Sequence, residues 1–348
     1  MSGVQTITVE ADEADMRLDR WLRARFPQLT QGRIEKMCRK GELRIDGGRV
    51  KSNTRIAPGQ QVRVPPLPPP GEVRPAGRDE PSAQDAEMMR AAVLYRDDHL
   101  IVLNKPPGLP TQGGSRQTRH VDGLSAALTF GLEEKPRLVH RLDKDTSGIL
   151  LLARTRAAAK GLTDAFRSRE TRKIYWAAVA GVPHPRMGTV KYGLVKQPGH
   201  GARGENEKMR CIHPDEVLRT PDAKRAVTDY AVIETLARRA AWVALVPVTG
   251  RTHQLRAHMA ELGHPIAGDG KYGGSGQENL GDGWGAGLGG DISRKLQLHA
   301  RSLSLTHPVS GARMTFTAPL PDHMARTWEY VGWDPASAPA DPFEDDLS

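Results

Sequence analysis

The stretch LVHRLDKDTSGILLLAR, residues 138–154, sets two apolar runs, Leu138–Val139 and Ile149–Ala153, on either side of a short charged loop. The loop holds His140, Arg141, Asp143, Lys144 and Asp145. Short apolar runs bounded by turn-forming residues read as buried strands. Asp145, Thr146, Ser147 and Gly148 are such residues, and are expected to hold the loop tight and free Asp143 to point into a cleft. A carboxylate between two buried strands is costly to desolvate without a partner. Taken alone, Asp143 suits a turn cap, or a local ion pair with Arg141 or Lys144, as well as it suits a reaction centre.

Around this stretch, residues 92–333 mix strand and helix patterns. AVLYRDDHLIVLNKP (92–106) reads as two strands with a turn at Asp97-Asp98, and RKIYWAAVAG (172–181) and AWVALVPVTG (241–250) read as further strands. AAAKGLTDAF (157–166) is helical, with Ala158, Leu162, Ala165 and Phe166 on one face. THQLRAHMAELG (252–263) is helical through Leu255, Met259 and Leu262, with Thr252 as N-cap and Gly263 as the stop. This order predicts an α+β domain with much antiparallel sheet.

Residues 16–64 form a separate basic module. Leu18, Trp21 and Leu22 mark one amphipathic helix. Ile34, Met37 and Cys38 mark a second, between Thr30 as N-cap and Gly41 as stop. A hairpin follows around Asp46-Gly47-Gly48, then a strand with alternating Val62 and Val64. The module carries 13 Lys+Arg against 4 Asp+Glu. Such an excess fits a phosphate-tracking surface, and Arg17, Arg20, Arg33, Lys36, Arg39 and Lys40 are its candidate RNA contacts; a solvated basic face is the plainer alternative. Residues 1–15 read as an N-terminal extension, 65–91 as a Pro-rich linker and 334–348 as an acidic disordered tail.

The whole chain of 348 residues has 50 Lys+Arg against 41 Asp+Glu, a net charge of +9 that favours a polyanionic partner. Two distant cysteines, Cys38 and Cys211, fit no metal-ligand spacing and suit a reducing cytoplasm. The acidic start carries no apolar core of a signal peptide, and no apolar run approaches the roughly 20 residues of a membrane span. GAGLGG (285–290) matches a dinucleotide fingerprint, but no strand precedes it and no amphipathic helix follows; it reads as part of a flexible Gly-rich surface stretch over 273–290. No phosphate-binding G-x-x-x-x-G-K-[ST] occurs. The histidines of the second half lack zinc spacing. Base deamination by zinc is excluded, because its P-C-x-x-C pair is missing.

Two further motifs bear on Asp143. In TGRTHQLRAH (249–258), Arg251 lies just ahead of a helix start, where the dipole disfavours a cation, so it calls for an anionic partner. In RKIYWAAVAG, Tyr175 sits beside Arg172 and Lys173; it is a core tyrosine or a ring able to stack on a base.

HRLDKDTSGILLLART, RKIYWAAVAG, TGRTHQLRAHMAELGHPIAGDGKYG and LQLHARSLSLTHP, in this order, resemble the motifs of the RluA family of RNA pseudouridine synthases, as does the segment IVLNKPPGLPTQGG. The similarity spans roughly residues 92–325. Residues 16–64 resemble the small alpha-L RNA-binding domain. Together they resemble the ribosomal large-subunit members of the family, the RluC and RluD types, and lean toward the RluC type. The resemblance implies a pseudouridine synthase fold with a central catalytic cleft and no metal or organic cofactor. It implies 23S ribosomal RNA, or a large-subunit assembly intermediate, as partner of a monomeric cytoplasmic enzyme. By position, Asp143 matches the catalytic aspartate and Arg251 the arginine paired with it. Arg141 matches the arginine that enters the RNA stack. Tyr175 matches the tyrosine packed on the target base, which is also implied to help remove the C5 proton. Lys144 is expected to contact phosphate or solvent. Transfer RNA as substrate, and a non-catalytic RNA-binding protein, remain open at this point.

Overall fold

The computed structural model describes residues 3–67, 80–113, 119–168, 170–197, 208–273 and 292–343. The chain divides into two compact units, Met1–Glu80 and Pro81–Ser348. Residues 274–290 of the Gly-rich stretch, including GAGLGG, lie outside the described residues.

The first unit runs β1 (Gln5–Thr8), α1 (Leu18–Arg25), α2 (Gln31–Lys40), β2 (Arg44–Ile45), β3 (Gly48–Arg49) and β4 (Gln61–Val64). Thr30 caps α2 by accepting from the Arg33 amide, and Gly41 ends it in the left-handed region at φ 70°. Leu18, Trp21, Leu22, Ile34, Met37, Val62 and Val64 fuse into one core. The strands order as β1-β4-β2-β3. The unit therefore begins before residue 16: the Thr- and Ile-bearing strand β1 covers the open edge of β4, with Gln5 opposite Val64.

The second unit runs α3 (Ala83–Ala91), β5 (Val93–Arg96), β6 (Leu100–Lys105), α4 (Val121–Leu124), β7 (Arg137–Leu138), β8 (Ser147–Ala153) and α5 (Arg156–Ser168). It continues with β9 (Arg172–Ala180), β10 (Met187–Gln197), β11 (Lys208–Ile212), β12 (Lys224–Leu236), β13 (Ala240–Pro247), α6 (Gln254–Glu261), β14 (Leu298–Thr306), β15 (Arg313–Thr317) and α7 (Asp322–Val331). One mixed sheet follows the order β11-β10-β12-β13-β9-β14-β8-β6-β5, with β15 on β14 and β7 on β8. Its pairings are antiparallel except β14 with β8. The α+β architecture expected from the sequence is present. β8 and β13 read as unbroken apolar runs because both of their faces are covered: every residue of β8 is buried, and in β13 only Pro247 is not.

Two more boundaries differ from expectation. The last third of the expected linker is helix α3, capped by Ser82 accepting from the Asp85 amide and anchored by Met89. The prolines of 65–70 dominate the composition of that segment and hide a cap followed by good helix formers. Nor is the tail disordered throughout. Asp341 takes the Arg172 guanidinium bidentately at 2.8 and 2.9 Å, and Phe343 packs with Trp176, Trp242, Trp328 and Trp333. Acidic composition suggested solvation, but here the acid finds a partner and the aromatic ring finds a core.

Candidate active site

The loop between β7 and β8 is fixed from several sides. Thr111 accepts from the Leu142 amide and donates to the Leu142 carbonyl, at 3.1 and 2.7 Å. His140 stacks on Phe166, and its Nε2 accepts from the Leu151 amide. Lys105, wholly buried at the end of β6, donates to the carbonyls of Pro106, Leu109 and Lys144. Burial pushes its ammonium down to about 7, against the pull of Asp145 and Asp143. At the far end of the loop, Ser147 Oγ bonds Nδ1 of buried His299, whose Nε2 meets the Ala318 carbonyl. Gly148 has φ 104°, and a Cβ there would lie 2.3 Å from the Ala300 carbonyl oxygen. Only glycine lets β8 lie this close to β14. Thr146, Ser147 and Gly148 thus join loop to sheet, while Asp143 is left one-quarter exposed in a cleft of about 1140 Å³.

The cation beside Asp143 is Arg256, not Arg251. Arg256 Nη1 lies 3.5 Å from Asp143 Oδ2. Its Nε and Nη2 clasp buried Asp269 at 2.7 Å each. Asp269 also accepts from the amides of Lys271 and Tyr272, so the buried pair is well satisfied. Arg251 lines the same cleft but is exposed, and its Nε donates to the Arg225 carbonyl at 3.3 Å. The reason is directional. Side chains on a helix lean toward its N-terminus, so Arg256, early in α6, points back at the loop that carries Asp143. Arg251 lies outside the helix, in a turn held by Gln254. Gln254 accepts from Thr249 Oγ1 and the Arg251 amide, and donates to Val227 and Thr228. The N-cap of α6 is His253, in the left-handed region at φ 50°, and not Thr252.

His253 Nε2 lies 3.8 Å from Asp143 Oδ2, and its Nδ1 is 3.0 Å from Tyr272 Oη. Tyr175 on β9 lines the cleft, part-buried; burial first, and the Asp143 charge second, hold its phenol well above the ordinary value. Arg141 is exposed at the cleft with Nη1 3.5 Å from Gln112 Oε1. Lys144 is exposed there too, without an ion pair among the described residues. The fold gathers Asp143, Tyr175, Arg141, Lys144 and Arg251 around one cleft. In the first unit, Arg17, Arg20, Arg33, Lys36, Arg39 and Lys40 are all exposed; Arg17 is tied to Asp19 and Lys40 lies 3.8 Å from Glu42.

Arg256, Lys105, Asp269 and Tyr272 were not singled out by sequence reading, and His253 was read only as one of several core or RNA-facing histidines. Lys105 had a signal, a lysine closing the apolar run LIVLNK. Burial around almost the whole of α6, from Gln254 to Met259, hides Arg256 from a one-face reading, and Asp269 and Tyr272 lie beyond the helix where no local pattern points to them.

No group of three or more His, Cys, Asp or Glu side chains among the described residues could hold a metal. What the cleft offers is a carboxylate that accepts no hydrogen bond among the described residues, an arginine held against it, and a shielded tyrosine. Such a site forms or stabilises a bond at an electrophilic carbon. Residues 99–261 match the family model of RNA pseudouridylate synthases and residues 16–62 that of the S4 domain; the chain belongs to the RNA pseudouridylate synthase family. Ribosomal large subunit pseudouridine synthase C of Salmonella typhi is 35% identical over 339 residues, 94% of this chain and 97% of its own length. The protein of the same description from Escherichia coli (strain K12) is 35% identical over 334 residues, 93% of this chain and 95% of that one. Among solved structures, human RNA pseudouridylate synthase domain containing 4 superposes with a TM-score of 0.57 at 31% identity, covering 71% of this chain and 95% of its own. Human RNA pseudouridylate synthase domain containing 1 gives 0.52 at 26% identity, covering 74% and 92%. The chain is an RNA pseudouridine synthase.

Proposed function

We propose that the chain isomerises specific uridines of large-subunit ribosomal RNA, with Asp143 as the nucleophile. The observation that carries the residue assignment is the Asp143 carboxylate, open to the cleft and held at Oδ2 by Arg256. The N1–C1′ glycosidic bond breaks, and the detached uracil turns in place. A C5–C1′ bond then forms, the C5 proton leaves and N1 gains a proton, so the product is an isomer. Asp143 meets the sugar or the base as charge develops. A glycoside hydrolase would place a second carboxylate to activate water. Here water has to be kept from the detached base, and buried Leu142 with part-buried Tyr175 supplies an apolar wall.

The target base must leave its stack, which costs a few kcal/mol. Arg141 is assigned to fill the gap, and Tyr175 to pack on the base and help take the C5 proton. Arg251 and Lys144 are assigned to the phosphates at the cleft rim, and the exposed cations of the first unit to the flanking RNA. The names of the relatives support large-subunit RNA as the substrate. The protein is taken to act as a cytoplasmic monomer, on free RNA or on an assembly intermediate.

The test is Asp143→Asn against wild type on large-subunit RNA from a strain lacking the gene. Wild type is expected to form pseudouridine; the variant is expected to bind and form none. Modification of transfer RNA alone would move the substrate there. RNA binding without modification by the wild type would leave only a non-catalytic binder.

A further inference from the structure

Tyr272, beyond the C-terminus of α6, has a role that family membership does not assign. Its phenolic oxygen accepts from the Met209 amide at 2.8 Å and lies 3.0 Å from Nδ1 of His253. With one lone pair engaged by that amide, the phenol has its own proton to place, and Nδ1 is the acceptor within reach. Burial holds the phenol up at about 12, so it keeps that proton at neutral pH. With Nδ1 accepting that proton, the imidazole proton sits on Nε2. That nitrogen faces Asp143 Oδ2.

The imidazole is kept neutral by its surroundings. Burial disfavours its charged form. Arg256, from its own helix, and Lys271, from the following segment, also oppose protonation, whereas Asp143 and Asp269 favour it. Its backbone is in the left-handed region, unusual for a residue with a Cβ and a common sign of a side chain held for a purpose.

We propose that His253 is a positioning residue: a neutral imidazole, fixed in its Nε2–H form by Tyr272, that pins one oxygen of Asp143 so that the other faces the RNA. Arg256 and His253 both make their nearest approach to Oδ2. The 3.8 Å separation is longer than a hydrogen bond, as catalytic contacts often are before substrate closes the site. Arg256 supplies charge and His253 supplies direction. The role rests on Asp143 being the reacting group.

Single-turnover rates on large-subunit RNA that wild type modifies provide the test, with Asp143→Asn as the blank. Inactive wild type would overturn the reaction assignment itself, before the His253 variants are compared. His253→Asn keeps a residue that tolerates the left-handed backbone but is too short to reach Asp143. His253→Gln returns an N–H near the place of Nε2. The Asn variant is expected to be slower by about 10- to 100-fold, with unchanged RNA affinity and melting temperature. The Gln variant is expected to recover most of that loss. Tyr272→Phe frees Nδ1 to take a proton, so His253 charges at higher pH, draws Oδ2 into a full ion pair, and moves the acid limb of the rate profile upward. Wild-type rates in His253→Asn, equal losses in Asn and Gln, or an unmoved acid limb in Tyr272→Phe would each overturn the role. If Tyr272→Phe fails to fold, the Asn and Gln pair decides.

Discussion

At the scale of single residues, the site depends on which of two nearby arginines meets the carboxylate. Arg256 is shared between Asp143 and the buried Asp269, so it both lies against the cleft carboxylate and neutralises an interior acid. Arg256→Met leaves Asp269 buried without its cation, a loss of about 3–5 kcal/mol together with activity. Arg251→Ala is expected to change stability by about 0.5 kcal/mol or less, and to act mainly on RNA affinity. Urea unfolding of both variants, with binding and single-turnover assays, separates the two. The positions of Asp143, Tyr175 and Arg141 along one cleft follow from motifs with strongly apolar flanks, but their roles came only from the family resemblance. The choice of Arg256 over Arg251 was not legible. They lie five positions apart in sequence, and the direction a side chain takes from a helix start decides it. Asp269 and Tyr272, which lie after α6, add partners that no local pattern announces.

At the scale of elements, β8 and β14 hold the reaction loop, and Gly148 is where they touch. Gly148→Ala would force a Cβ into the Ala300 backbone at φ 104°. A loss of about 3 kcal/mol or more is expected, read as a lower melting temperature and a misplaced Asp143. Three histidines shielded from water add a pH dependence: desolvation drives part-buried His140, before β8, and buried His299, on β14, to about 3, and buried His258, on α6, to about 4. The unfolded chain takes up these protons near pH 6.5, and the folded chain not until the lower values. The stability they lend is present above pH 6.5 and falls as pH drops toward 4, by about 1.4 kcal/mol per unit for each histidine. Urea unfolding at pH 7 and pH 5 should show a loss of more than one proton's worth. Strands and helices were the most legible part of the fold, since β13 and β8 are unbroken apolar runs and α2 carries both its caps in sequence. β1 and α3 escaped because each borders a segment whose average composition, acidic or proline-rich, masks a short structured run.

At the scale of the whole molecule, the net charge of +9 is concentrated where it can bind a polyanion: 13 cations against 4 acids in residues 16–64. Arg20, Arg33, Lys36 and Arg39 are exposed there, without an ion pair among the described residues. Removing residues 1–80 is expected to weaken RNA binding and flatten its salt dependence, by about 0.7 in log–log slope for each lost contact to a single strand. Titrations at several salt concentrations check this; an unchanged slope would take the first unit out of the RNA interface. The far end of the chain carries a different lesson, for whoever cuts or tags it. Ending the chain after Trp333 would strip Asp341 from Arg172, a residue of the cleft wall, and lift Phe343 off an indole cluster. Such a truncation would look conservative by composition, yet it would leave a sticky aromatic face and one more bare guanidinium beside the reaction cleft. A fusion partner belongs beyond residue 343.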